Sequence, residues 1–122
     1  MNPSELLVAH AGDAVCHLQT IGRRSGRPRT IEIWFATDGT RIYLLAGGRD
    51  RAHWVRNLRV DPHVRLRIGG SSIAGIARVI DDEPSAIVAR RLLAAKYQGW
   101  AEGAPLSAWA AGSLPVEIVP GA

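Results

Sequence analysis

Short segments in which apolar and polar residues alternate recur along most of this 122-residue chain. The first two such segments cover residues 15–20 (VCHLQT) and 31–36 (IEIWFA). Because successive side chains of a β-strand point to opposite faces, a period of two predicts strands that bury one face. The chain is therefore predicted to form a sheet, and its length suits one hydrophobic core.

Six strands are predicted, and turn-forming residues separate them. An Asp-Gly pair in TDGT (37–40) favours a tight hairpin, and GGSS (69–72) supplies a second turn. Pro115 would confine the last strand to a sheet edge or a bulge, because proline lacks the N–H that a ladder needs. The predicted strands are residues 15–20, 31–36, 41–46, 64–68, 73–80 and 114–119.

Three helices are predicted. Residues 51–60 have helical spacing and stop at Asp61-Pro62, and DDEP (81–84) opens a helix that runs to about Tyr97 and ends before Gly99. The N-terminal segment 1–12 is predicted to be helical over 3–9, or disordered until it docks. The expected fold is a single α+β domain over residues 1–122, with a mostly antiparallel sheet that closes into a small barrel.

The positive charge of the chain is local. Fourteen of its 15 basic residues are arginines, and residues 22–67 hold 11 arginines against four acidic residues. Guanidinium groups donate paired hydrogen bonds to phosphate or carboxylate, so the pattern favours an anionic ligand. A coding bias toward arginine codons would give the same composition, and that alternative remains open.

Four arginines lie in the loop between the first two strands, GRRSGRPR (22–29). Its two glycines let the backbone turn tightly, Ser25 adds a hydroxyl, and the flanking guanidinium groups suit a phosphate. The loop is neither a Walker A motif nor a Gly-x-Gly-x-x-Gly turn. Taken alone, a basic hairpin loop is more often a solvated connection than a binding site.

Four tryptophans and two tyrosines are the candidates for contact with a planar ligand, although each is equally suited to a core. Trp34 lies out of phase with Ile31, Ile33 and Phe35, so it is predicted outside their core layer. The lone Cys16 excludes an internal disulfide, and the histidines show no metal-ligand or hydrolase pattern. No signal sequence or nucleic-acid motif is evident, so a cytoplasmic location without nucleic acid is expected.

The order of these motifs resembles the deazaflavin-dependent nitroreductase family over about residues 16–119. GRRSGRPR and HWVRNLRVDP (53–62) are the specific parts of the resemblance. It implies a split β-barrel that uses reduced coenzyme F-420 to reduce a quinone, a nitroaromatic compound or another activated acceptor. FMN or FAD as the cofactor, and a non-catalytic barrel that holds the coenzyme or haem, are the alternatives.

The resemblance also implies a coenzyme site. Arg24 and Arg29 would hold the phosphate and acidic tail, with Ser25 and Gly26 in the same loop. Trp34 and Trp54 would lie near the ring, and Asn57 would also bind the coenzyme. Ala46 or Gly47, in the same site, replaces a serine common after the third strand.

Tyr97 matches a family tyrosine that lines the acceptor pocket, and Trp100 takes the place of a second tyrosine. These two residues are the predicted catalytic contacts. The resemblance leaves open a monomer or a homodimer, and a peripheral contact with a membrane that carries a quinone.

Overall fold

The computed structural model describes residues 2–121, which form seven strands, four α-helices and one 3-10 turn. The helices are α1 (Pro3–His10), α2 (His53–Val60), α3 (Glu83–Gln98) and α4 (Ala108–Gly112), and the 3-10 turn spans Arg49–Arg51. The strands are β1 (Cys16–Ile21), β2 (Pro28–Ile33), β3 (Ala36–Thr37), β4 (Ile42–Ala46), β5 (His63–Ile68), β6 (Ser71–Val79) and β7 (Leu114–Pro120).

All seven strands join one antiparallel sheet in the order β2-β1-β5-β6-β7-β4-β3. The α+β class and the antiparallel sheet confirm the prediction, while the strand count is seven rather than six. The extra strand arises because the segment predicted over 31–36 divides at Trp34 and Phe35. Residues on either side of that division pair with different neighbours.

The link between β2 and β3 shows that the sheet is curled. These strands lie at opposite edges of the sheet, yet only Trp34 and Phe35 separate Ile33 from Ala36. Three virtual bonds between Cα atoms span at most about 11 Å. The two edges must therefore come close together at these residues, and we call this place the seam.

Two side chains of α3 bind the backbone of the seam. The Phe35 N–H donates to the Tyr97 hydroxyl at 3.1 Å, and the single proton of that hydroxyl lies within reach of the carbonyl oxygens of Ala14 (2.8 Å) and Phe35 (3.0 Å). The Lys96 ammonium donates to the Phe35 carbonyl at 2.9 Å. Backbone groups without a strand partner thus receive one from α3.

The core follows the alternation of the strands. Cys16 and Leu18 of β1 are fully buried, as are Leu66 of β5 and Ile118 of β7. Burial raises the pKa of the Cys16 thiol to about 12, so this cysteine remains protonated at neutral pH. Strands β1, β5 and β6 thus bury one face, as a period of two predicts. Strand β4 and residues 114–118 of β7 are buried on both faces, because α3 covers the second face.

The N-terminal segment is helical and docked rather than disordered. Asn2 caps α1 by accepting from the Glu5 N–H at 2.8 Å. Leu6 and Leu7 are buried in the main hydrophobic cluster with strand residues. The prediction of a single domain over residues 1–122 stays a prediction. Met1 and Ala122 lie outside the residues that the structure describes.

Pro115 does not lie at an edge, so that prediction is wrong. β7 is central and pairs with both β6 and β4. The ladder with β6 ends at Val79 and Val116, and the Pro115 carbonyl accepts from the Ile80 N–H at 2.9 Å just beyond it. Proline is tolerated because it stands at the start of the strand, where β6 no longer needs a donor.

The long helix α3 has the ends that its sequence predicts. Asp82 accepts from the Ser85 N–H at 3.0 Å, and Gly99 takes a left-handed conformation with φ of 65° after the last turn. The short helix α4 is not among the helices that the sequence predicts. No helix formed by residues 2–121 combines the length and the apolar character needed to span a membrane.

The seam yields a stability prediction. Tyr97→Phe removes the hydroxyl that serves Phe35 and Ala14, and leaves the Phe35 N–H without its partner. We expect the free energy of unfolding to fall by about 1–3 kcal/mol, as measured by urea denaturation. Thr40→Val, which removes an exposed hydroxyl bound to Asp38, is the control and should change it by less than about 0.5 kcal/mol. Equal stability of the two variants would contradict the role of Tyr97 at the seam.

Candidate active site

The loop between β1 and β2 and the helix α2 enclose a cleft of about 610 Å³, which we call the arginine cleft. Arg24, Ser25 and Arg29 line it from the loop side, and Trp54 and Asn57 line it from α2. Five of the predicted site residues therefore meet around one cavity. They come from segments about 30 residues apart, and the β1–β5 pairing and the packing of α2 bring them together.

The loop is closed by its own backbone. The Gly22 N–H donates to the Arg27 carbonyl and the Gly26 N–H to the Gly22 carbonyl, both at 2.8 Å. Gly26 has φ of 70°, and a Cβ added at Gly22 would lie 2.7 Å from the Ser25 hydroxyl. Both glycines are therefore required by the turn itself.

Two of the predicted coenzyme residues serve the loop internally. The Ser25 hydroxyl accepts from the Arg27 N–H at 3.1 Å, and the Gly26 N–H is already bound. Ser25 still borders the cleft, whereas Gly26 is not among its lining residues. The backbone amides are thus less available to an anion than the sequence suggested, and the guanidinium groups are left as the main donors.

Asn57 anchors the loop to α2. Its side chain is 4% exposed, and its oxygen accepts from both the backbone N–H (3.2 Å) and the guanidinium (2.8 Å) of Arg23. Its amide nitrogen donates to the Thr20 hydroxyl at 3.2 Å. Arg23 is therefore part of this anchor, and its guanidinium also lies 3.2 Å from the His53 Nδ1 atom.

Three arginines line the cleft, and Arg24 and Arg29 differ from the third, Arg23, whose guanidinium binds Asn57. Both are exposed beside the cleft, and within residues 2–121 neither guanidinium makes a hydrogen bond or an ion pair. By contrast, Arg41 and Arg78 bind the buried carboxylate of Glu117, and Arg90 binds backbone carbonyls. Two guanidinium groups at the cleft therefore keep their donors available for an anionic ligand.

A second cleft, of about 470 Å³, lies at the far end of β2 and is called the aromatic cleft. Trp34 and Trp109 line it, together with Val15, Leu45 and Gln98 and two further residues of β2. Trp34 is 43% exposed and absent from the main core cluster, which confirms that it lies outside the core layer of its strand.

The rings at this cleft are mutually ordered. Trp34 stacks on Tyr97, with ring centroids 4.3 Å apart and planes 3° from parallel. Trp109 meets Trp34 edge-on at 5.5 Å and 83°. A flat wall and a perpendicular wall are thereby fixed next to each other, which suits a planar ligand.

The two predicted catalytic residues lie in different environments. The Tyr97 hydroxyl points to the seam, and burial raises its pKa above the ordinary value. Its ring stacks on the Trp34 ring and so fixes the orientation of Trp34. The Trp100 indole N–H donates to the Ala104 carbonyl at 2.8 Å, its ring lies near Arg91, and the residue does not line the aromatic cleft.

Trp109 is one of the four candidate tryptophans, but the sequence did not assign it to the site. It belongs to α4, a helix unmarked by any periodic pattern, and its proximity to Trp34 depends on tertiary packing alone. Gly47 of the predicted site lies beside it, since a Cβ at Gly47 would be 3.6 Å from the Trp109 indole. Ala46 is 2% exposed and packs in the core with Val55 and Leu114.

The two clefts share the edge strand β2. Arg29 and Ile31 border the arginine cleft, and Ile33 and Trp34 border the aromatic cleft. Five residues of extended chain from Arg29 to Trp34 span about 16 Å. An elongated ligand lying along β2 would therefore reach from the guanidinium groups to the stacked rings. No group of three or more metal-ligating side chains occurs within residues 2–121.

Solved structures resemble this fold over nearly its whole length. A Listeria innocua protein named for pyridoxamine 5′-phosphate oxidase aligns with a TM-score of 0.71 at 20% identity, covering 99% of this chain and 95% of its own. An F420-H2-dependent reductase (FDR-A) aligns with a TM-score of 0.63 at 22% identity, covering 88% and 94%. HutZ, the haem storage protein of Vibrio cholerae, gives 0.70 at 12% identity, covering 100% and 91%. At these identities the likeness shows the split-barrel fold.

The family model of the F420H2-dependent quinone reductases matches residues 6–116. This match covers nearly all of the sheet, both clefts and helices α2 to α4. It agrees with the resemblance seen in the motifs and with the split-barrel fold. The chain belongs to the F420H2-dependent quinone reductase family and is an oxidoreductase dependent on the deazaflavin coenzyme F-420.

Proposed function

We propose that this reductase transfers a hydride from reduced coenzyme F-420 to a quinone, with the coenzyme lying along β2. One observation carries the proposal. Arg24 and Arg29 are exposed beside the arginine cleft and have no partners among residues 2–121. Strand β2 leads from them to the aromatic cleft and its ordered rings. The arginine cleft offers hydrogen-bond donors to the anionic tail of the coenzyme, and the aromatic cleft offers flat apolar surfaces to its planar ring.

The arginine cleft fits the anionic part of the coenzyme. Two guanidinium groups can each donate paired hydrogen bonds to phosphate or carboxylate oxygens. Trp54 gives the cleft an apolar wall, and Asn57 holds the loop in place through Arg23. In this proposal Arg24 and Arg29 bind the tail, Ser25 borders it, and Gly26 and Asn57 act by shaping the loop.

The aromatic cleft fits planar reactants. Trp34 presents a flat, partly exposed ring whose orientation is fixed by the stacked Tyr97. In this proposal Tyr97 acts on the reaction through its ring, because its hydroxyl is bound to the backbone of the seam. Trp109 forms the second wall, so a planar reactant would lie against ordered rings.

The chain needs little chemistry of its own. When bound, the reduced deazaflavin supplies the hydride. The protein's part is to hold the acceptor against the ring. The family's printed description supports a quinone as the acceptor. Nitroaromatic compounds share its planarity, so they are the comparison in the experiment.

One experiment tests the function directly. The pure protein is mixed with reduced coenzyme F-420 and either a naphthoquinone or a nitroaromatic compound, and oxidation of the coenzyme is followed by its absorbance. The proposal predicts faster turnover with the quinone. Tight binding of FMN with no response to F-420 would instead support a flavin enzyme, and binding of F-420 without oxidation would support a non-catalytic barrel.

The first prediction concerns the arginine cleft. In Arg24→Glu/Arg29→Glu, carboxylates replace both free guanidinium groups, so attraction for the tail becomes repulsion. We expect the dissociation constant for F-420 to rise by more than about 100-fold in a fluorescence titration at about 0.15 M salt. Both side chains are exposed, so the fold should persist.

The matched control is Arg65→Glu/Arg67→Glu on β5. It makes the same change in net charge at two exposed arginines outside the arginine cleft. Its dissociation constant should change by less than about fivefold, because screening weakens interactions beyond about 8 Å. A similar loss in both double variants would indicate a general charge effect and contradict a specific anchor.

The second prediction concerns the aromatic cleft. Trp34→Leu keeps an apolar side chain but removes the flat ring that Tyr97 supports. We expect kcat/KM for the quinone to fall at least about tenfold, while the coenzyme dissociation constant changes less than in the double arginine variant.

Trp100→Leu tests the role that the resemblance implied for Trp100. If only Trp100→Leu impaired turnover, the placement of the acceptor beside Trp34 would be wrong.

A further inference from the structure

Helix α4 is too short to be stable by itself. It has five residues, Ala108–Gly112, whereas isolated helices need at least about 12 residues even in favourable sequences. Its N-terminus is capped by Ser107, which accepts from the Ala110 N–H at 3.1 Å. The position of α4, and of the Trp109 ring that it carries, must therefore be set by contacts with the rest of the protein.

Two arginines from different elements bind the carbonyls at the end of α4. Arg90 of α3 donates to the carbonyls of Ala110 (2.9 Å) and Ser113 (2.8 Å). Arg49, at the start of the 3-10 turn, donates to the carbonyl of Gly112. Carbonyls at a helix C-terminus lack helical partners and carry partial negative charge, so guanidinium groups are well suited to hold them.

The backbone at Arg49 is unusual. Its φ is 52°, and among residues 2–121 it is the only residue other than glycine with a positive φ. This left-handed conformation brings the Cβ close to the following carbonyl and costs free energy, and glycine adopts it without that cost. An arginine at this position therefore needs a compensating role, which the contact with Gly112 supplies.

Trp109 connects α4 to the aromatic cleft. Its indole edge lies near Gly47, two residues before the 3-10 turn begins, and the centroids of its ring and of the Trp34 ring are 5.5 Å apart. The turn after β4 and the end of α4 thus hold Trp109 from two sides. A shift of α4 would move one wall of the cleft relative to the other.

We propose that Arg49 is a positioning residue for Trp109 and that it thereby determines how well a planar acceptor fits the aromatic cleft. The proposal rests on the function proposed above, since it takes the aromatic cleft as the acceptor site. Arg49 itself is exposed and borders neither cleft. Its effect on the reaction passes through Gly112 and Trp109.

Four variants test it. Arg49→Gly removes the guanidinium but keeps the left-handed backbone without strain, so its thermal stability should remain close to that of the wild type. Arg49→Ala removes the guanidinium and keeps the strain. Arg49→Lys retains a donor that can reach a carbonyl. Arg51→Ala is the matched control, because Arg51 is exposed in the same turn and its side chain binds nothing among residues 2–121.

We expect Arg49→Gly and Arg49→Ala to raise the KM for a naphthoquinone by about tenfold, with the F-420 dissociation constant unchanged. Arg49→Lys should recover part of the loss, and Arg51→Ala should match the wild type. A purely structural role would instead lower stability in Arg49→Gly and leave its KM intact. That result, or wild-type KM in both Arg49 variants, would overturn the proposal.

A spectroscopic measurement separates this inference from the function on which it rests. The near-ultraviolet circular dichroism of the free protein reports the fixed Trp34–Trp109 pair, and Trp109→Phe gives the signal without it. Arg49→Gly and Arg49→Ala should move toward that reference even if the wild type reduces no quinone. An unchanged spectrum would refute positioning by Arg49. If the Arg49 variants altered the spectrum but the wild type reduced no quinone, the proposed function would be refuted. The role of Arg49 in acceptor binding would then fall with it, and only its role in positioning Trp109 would stand.

Discussion

The backbone of Phe35 is the point on which this fold depends. The chain passes there from one edge of the sheet to the other, with only two residues between β2 and β3, so its polar groups cannot pair within either strand. Tyr97 and Lys96 supply those partners from α3, and Lys96 also lies 3.7 Å above the Phe35 ring. Burial lowers the pKa of Lys96. The hydrogen bond to the Phe35 carbonyl and the contact with the Phe35 ring offset part of the free-energy cost of burying the ammonium group. Closure of the sheet at the seam therefore depends on the packing of α3.

The same seam places the aromatic cleft. Trp34 immediately precedes Phe35, and Tyr97 holds the seam with its hydroxyl while its ring stacks on Trp34. In the proposed function, Tyr97 thus serves the fold through its hydroxyl and the reaction through its ring. The resemblance implied that Tyr97 contacts the acceptor, whereas its hydroxyl binds the backbone of the seam. The contribution left for the reaction is the orientation of a ring.

The arginines divide into groups that composition alone does not separate. Arg41 and Arg78 neutralise the buried Glu117, Arg23 fixes the loop to Asn57, and Arg49 and Arg90 hold α4. Arg24 and Arg29 keep their donors at the cleft. The motif GRRSGRPR correctly indicated a structured turn, since Gly22 and Gly26 are required by its geometry. It could not indicate that Arg23 would be used internally, because Asn57 lies 34 residues away in the chain.

The local pattern of the sequence by itself determined most of the strands, the capped helix α3, the face that β1, β5 and β6 bury and the position of the arginine loop. These follow from the period of side chains along a strand and from the backbone preferences of glycine, proline and capping residues. Only the tertiary structure decided that β2 and β3 lie at opposite edges, that Pro115 could enter a central strand, and that Trp109 would join Trp34. Such outcomes depend on which distant backbone groups and ring faces are brought together, and no local period encodes that information.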